Sequence, residues 1–168
     1  MKLPWGRVEV PPAVRAATGD DKVIATVTAE SPAETLVAGT KAMYAVAADG
    51  SLRWRRVWHH VDGGSFDRES STLRVTWVDG SAPEGWRLPH DTTFPETFRA
   101  RVQASVVLAE IVDLGGRRNA KVVIRKDLAD QSLLSQVVIG RGVDPSDPGL
   151  RAAVAAAVAR LEEQVGLD

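Results

Sequence analysis

Seven short stretches between residue 22 and residue 88 change polarity with a period of two or carry a brief β-rich apolar core, which reads as about seven β-strands. They lie at residues 22 to 28, 35 to 39, 41 to 48, 51 to 55, 64 to 69 and 72 to 78, with the last around Trp86, Arg87 and Leu88. Asp49-Gly50 and Asp79-Gly80 fall between runs, where glycine supplies the positive φ of a tight hairpin turn. Alternation in the fourth run places Leu52 and Trp54 towards a core and Arg53 and Arg55 towards solvent. In the sixth it places Leu73, Val75 and Trp77 together, away from Arg74 and Thr76.

After Leu88 the period lengthens. Thr93-Phe94-Pro95-Glu96 has capping-box spacing with proline in the first turn, and Phe98, Val102, Ser105, Val106 and Ala109 fall on one helical stripe, predicting a helix to Ala109 that plugs an open barrel end. Three further strands are predicted at residues 110 to 114, 120 to 126 and 133 to 139. A closing helix starts at Asp147-Pro148, aspartate as N-cap and proline at N1, and stops at Gly166. Its apolar stripe is Leu150, Val154, Val158, Leu161 and Val165. The division expected is an extended lead-in at 1–21, pinned by Trp5, a body at 22–109, and a βββα extension at 110–168.

With those elements in order, residues 20 to 109 resemble the pleckstrin-homology-like (PH-like) superfamily, specifically its bacterial members of unassigned function. The likeness rests on Gly19-Asp20-Asp21-Lys22-Val23-Ile24-Ala25, on Tyr44-Ala45-Val46 before Asp49-Gly50, and on Trp58-His59-His60-Val61. Ser65-Phe66-Asp67, Leu73-Arg74-Val75 and the helix after Leu88 continue it. It implies an α+β fold: a PH-like barrel of two orthogonal antiparallel sheets capped by a helix, here followed by a three-stranded sheet and a C-terminal helix. Lipid-binding members concentrate cations in the loop after the first strand. Here that loop is Ala29-Glu30-Ser31-Pro32-Ala33-Glu34, whose acids would repel a phosphate, so phosphoinositide and membrane are not the expected partners.

Composition removes other classes. A formal net charge of −1 gives no whole-chain field for nucleic acid or anionic membrane. The absence of cysteine removes thiol nucleophiles, disulfides and thiolate metal sites. No apolar run approaches a membrane span or signal peptide, so the expected location is cytoplasmic.

Two arginine clusters are the candidate anion or nucleic-acid contacts: Arg53, Arg55 and Arg56, interleaved with Trp54 and Trp58, and Arg117 with Arg118, followed by Lys121, Arg125 and Lys126. Strand alternation and a solvated hairpin tip account for them as well. The run helix, three strands, helix also has the element order of a double-stranded-RNA-binding domain, but Asp144-Pro145-Ser146-Asp147-Pro148 is acidic where that family wants lysines. His59, His60 and Asp62 could suggest a metal, and Ser65 with His60 and Asp62 a hydrolytic set. Adjacent histidines on an extended segment diverge, and the serine lacks a nucleophile turn. Gly63-Gly64 and Gly115-Gly116 read as turn or bulge glycines. No catalytic residue and no cofactor is assigned. The expected function is a non-catalytic protein-interaction or scaffold module. Its partner is an unidentified protein or a second copy, met by the stripe of the last helix unless that stripe covers its own sheet. The competing class is nucleic-acid association through the arginines.

Overall fold

The computed structural model describes residues 9–167, so the expectation for Trp5 lies outside the described residues. The fold is α+β, with three α-helices and ten strands in three antiparallel sheets among the described residues. Two compact units result, one ending at Val102 and the other beginning at Gln103.

In the first unit a short helix α1 (Pro12–Thr18) precedes a meander of β1 (Val23–Thr28), β2 (Glu34–Gly39), β3 (Ala42–Ala47) and β4 (Leu52–Val57). A 3-10 turn at Trp58–His60 leads into a second meander, β5 (Val61–Asp67), β6 (Thr72–Trp77) and β7 (Glu84–Arg87). Ladder pairing does not pass from β4 to β5. An isolated bridge between Ser31 and Arg87 joins the sheets instead, with Arg87 N donating to Ser31 O (2.9 Å) and Glu30 N to Arg87 O (2.8 Å). No closed barrel is found among the described residues.

β3 is covered on both faces, which is why Ala42, Met43, Tyr44, Ala45 and Val46 are all buried. Val14 of α1 packs on Val37, Ala42, Tyr44 and Val46 on one side. Register puts Leu36 beside Ala45 and Ala38 beside Met43 on the other.

Asp21, buried just before β1, is the hub of the β2–β3 turn. Its carboxylate accepts bonds from Thr40 Oγ1 (2.8 Å), Lys41 N (3.1 Å), Ala42 N (3.2 Å) and Tyr44 OH (2.9 Å). Burial first, and then the bond to Asp21, push the Tyr44 phenol above its usual range. The same turn supplies Gly39 O to Trp58 Nε1 (2.9 Å) and Thr40 O to Arg101 (3.1 Å).

Helix α2 (Phe94–Ala104) starts after Thr93 as the sequence predicts, but the side-chain bond at its start is Thr92 Oγ1 accepting from Phe94 N (3.1 Å) rather than the Thr93–Glu96 capping box. It stops short of Ala109. Val106 and Ala109 belong to strand β8, because the β-branched pair Val106-Val107 opens a run that pairs with a neighbour, and the predicted five-residue stripe is therefore split. Phe98 of α2 lies edge-on to Trp58 at 6.0 Å and against Gly64. Gly64 is thus a mid-strand residue rather than a turn, and the bulge expected at this pair lies between Val61 and Gly63; a Cβ on Gly64 would sit 2.9 Å from Phe98 Cζ and closer still to Cε1. Gly64→Ala is expected to cost about 1–3 kcal/mol by overpacking, partly recovered by Phe98→Leu, as read from urea midpoints.

The second unit is a meander of β8 (Val106–Asp113), β9 (Asn119–Lys126) and β10 (Leu133–Ile139), ordered β10-β9-β8, followed by helix α3 (Pro148–Val165). Val112, Ala120, Val122 and Ile124 form one sheet face and bury against Leu150, Ala157 and Leu161 of α3. Asp147 caps α3 by accepting from Gly149 N (2.8 Å) and Leu150 N (3.1 Å), and Gly166 ends it at φ 72°. Asp147→Ala is expected to cost about 1 kcal/mol, read as a lowered melting midpoint of the helical signal.

One turn device recurs. In Asp49-Gly50-Ser51, Asp79-Gly80-Ser81, Asp130-Gln131-Ser132 and Asp144-Pro145-Ser146 the aspartate Oδ1 accepts from the serine N at 2.9 Å and from its hydroxyl at 2.5–2.7 Å.

Candidate functional site

The arginines of β4 do not form one patch. Val46 pairs with Leu52 and Ala45 with Trp54, so Arg53 is the extra residue of a bulge and the alternation expected for this strand breaks there. Leu52 is left 45 % exposed, against the expectation of a core position. Trp54 does turn inward, meeting Trp77 at 5.2 Å and Trp86 at 6.2 Å between ring centres, both edge-on.

Arg53 reaches across to β2 and forks onto Glu34, Nε to Oε2 at 2.8 Å and Nη2 to Oε1 at 2.7 Å, with Glu84 at 2.5 Å completing the triad. Glu34 is only 6 % exposed and also accepts from Trp86 Nε1. Burial alone would raise its pKa, but the bonds from Arg53 and Trp86, with the Arg53 charge, hold the carboxyl below its usual value.

Arg55 pairs in register with Tyr44 and stands 6.0 Å from that ring, its side chain exposed. Arg56 points the other way. It stacks 4.3 Å over Trp77 and bonds Asp79 at 3.0 Å. The Ser81 hydroxyl and N–H, then Arg56, bring exposed Asp79 down to about 2.

The loop read as acid against phosphate is likewise internally paired. Glu30 bonds Arg87 at 3.0 Å, and Glu34 belongs to β2 and is buried. The acidity seen in sequence is therefore largely neutralised in the fold.

At the β8–β9 tip, Gly115 and Gly116 take φ 86° and 63°, as turn glycines do, and Arg117 is exposed with no ion-pair partner among the described residues. Arg118 donates to Leu114 O (3.0 Å) and lies 3.9 Å from Asp147. Arg125 does not join this tip. It is 2 % exposed and bonds Ser105 Oγ at 2.6 Å.

His59 is buried and His60 exposed, and among the described residues no group of three metal-ligating side chains gathers. Ser65 sits exposed on β5, paired with Arg74. A serine–histidine contact that sequence reading missed lies elsewhere. Ser71 Oγ is 2.9 Å from His90 Nδ1, and Ser71 holds φ 52° at the end of the β5–β6 turn. The separation of nineteen residues leaves no periodic signal. With the Ser71 side chain buried, this pair fastens the segment after β7 to the hairpin.

The stripe of α3 turns inward. Leu150 and Leu161 are buried, and Val154, Val158 and Val165 are half-buried against the same sheet. α3 lies over β9 and β8 more than over β10, leaving a groove of about 360 Å³ beside Ile139, Leu150, Arg151 and Val154.

No helix among the described residues is long and apolar enough to cross a membrane. No protein family model matches the chain, and no curated protein matches it.

Proposed function

We propose that the chain is a non-catalytic, cytoplasmic protein-interaction or scaffold module whose first unit is a PH-like sandwich. The observation that carries this reading is how the arginines are used. Arg53 and Arg56 are held by Glu34, Glu84 and Asp79, and exposed Arg55 stands singly beside Tyr44, so β4 offers no converging set of cations to a phosphate backbone. The apolar groove of the second unit supports a protein partner instead. Nor do His60, Asp62 and Ser65 support hydrolysis, since Ser65 lies on a regular strand.

Nucleic-acid association is supported by the exposed Arg117 at the β8–β9 tip and by exposed Arg55. A tagged full-length chain recovered from its native cells at gentle salt separates the two. A stoichiometric protein partner that survives nuclease and is retained by an Arg117→Glu, Arg118→Glu variant supports the interaction reading. Recovery of nucleic acid alone, lost with salt and with that variant, would overturn it.

A further inference from the structure

β10 is an outer strand of its sheet, with β9 on one side only. A strand in that position presents a row of backbone donors and acceptors that another extended chain can pair with. Its side chains on the α3 side follow from register: Ser135 pairs with Ile124, Val137 with Val122 and Ile139 with Ala120, all partners buried beneath α3. Yet Val137 is itself 36 % exposed, because the helix axis lies towards β9 and β8. Between this strand and the helix runs the 360 Å³ groove, its apolar walls formed by Ile139, Pro145, Leu150 and Val154.

Among the described residues, Arg151 is the one charged side chain in the lining of the groove. It is exposed, without an ion-pair partner among the described residues, and Arg141 follows β10 on the adjacent loop. The nearby acids are already engaged: Asp144 accepts from Ser146, Asp147 from the first turn of α3, and Glu162 of α3 from the Ser135 hydroxyl of β10 (2.5 Å). A ligand complementary to this arrangement has an extended backbone, a short aliphatic side chain and a carboxylate.

We propose that an extended peptide segment of a partner protein adds to β10 as a further strand, inserts an aliphatic side chain against Ile139, Leu150 and Val154, and sets an acidic residue against Arg151. This rests on the protein-interaction reading and names the partner's chemistry. Backbone pairing supplies affinity, the groove selects a side chain small enough to enter, and Arg151 fixes register.

The test is a titration of the labelled full-length chain, followed by backbone amide NMR, with acetylated peptides carrying valine at alternate positions and a single glutamate. Matched peptides carry lysine in place of the glutamate. Shifts should concentrate at residues 133–139 and 148–155, with the glutamate peptides bound roughly fivefold tighter, an exposed charge pair's worth. Arg151→Glu should invert that order, and N-methylation of the peptide's strand-facing amides should abolish binding. No shift in β10 or α3 at any peptide concentration, or an affinity indifferent to both Arg151→Glu and N-methylation, would overturn the proposal. A protein partner retained by Arg151→Glu and not displaced by the peptides would sink the groove while leaving the interaction reading intact.

Discussion

Replacing Arg53 by methionine is expected to destabilise the first unit by about 3 kcal/mol, the lower end of the range for breaking a buried ion pair. The lower end applies because Arg53 is 40 % exposed and water screens its side of the pair, whereas Glu34 is 6 % exposed and would keep its charge with Trp86 Nε1 as its remaining strong donor. Urea unfolding of the single variant measures the loss. The decisive comparison is the double variant with Glu34→Gln, which removes the stranded charge and keeps an acceptor for Trp86. It should be more stable than Arg53→Met alone, an outcome that simple loss of packing would not give. The pH response follows from the lowered Glu34 pKa. In the parent chain its contribution is present above the ordinary 4.5 and is lost as pH falls through the lower folded-state value. In Arg53→Met burial is less opposed, Glu34 titrates higher, and mild acid should narrow the stability gap between variant and parent.

The second large effect is expected at Asp21. Asp21→Ala strands the Thr40 hydroxyl, two backbone N–H groups and the Tyr44 hydroxyl, and should cost about 3–5 kcal/mol, with each buried donor left unmade contributing about 1 kcal/mol or more. Gly39 tests the same hub from outside, since a Cβ there would stand 2.7 Å from Asp21 Cγ and closer still to Oδ2. Gly39→Ala should therefore be costly by about 2–3 kcal/mol in the parent chain and nearly neutral in Asp21→Ala, a coupling visible in a double-mutant cycle. Tyr44 is the chain's only tyrosine, so its phenolate absorbance reports on the hub directly. Folded parent should ionise above the ordinary 10, and Asp21→Ala should move that titration down by removing the neighbouring carboxylate. Additive losses with an unchanged tyrosine titration would count against the hub.

These two sites also show what the sequence could and could not convey. Period and turn chemistry are local, so the hairpin turn at Asp49-Gly50, the α3 caps at Asp147 and Gly166, and the inward stripe of α3 could all be read from neighbouring residues. Glu34 and Arg53 are nineteen residues apart, and Asp21 and Tyr44 twenty-three, and nothing in either stretch marks a carboxylate as buried. Alternation places Leu52 in the core, and it is exposed because a bulge at Arg53, which no residue type announces, interrupts the strand's period. The overlong helix at Val106 has a similar cause, since valine fits an apolar helical stripe and a strand start alike until pairing with β9 decides.

The aspartate–serine turns bear on how the folded chain ages. Asp-Gly is the dipeptide most prone to isomerise, because the unhindered glycine nitrogen can attack the aspartate carboxyl to close a succinimide. At Asp49-Gly50 and Asp79-Gly80 the carboxylate is bound to the serine two residues on, and both groups are held below the usual carboxylate range, Asp79 at about 2. An ionised carboxylate engaged by the serine is a poor electrophile. Isoaspartate should therefore accumulate at these two turns chiefly while the chain is unfolded, so each lesion records time spent outside the native state.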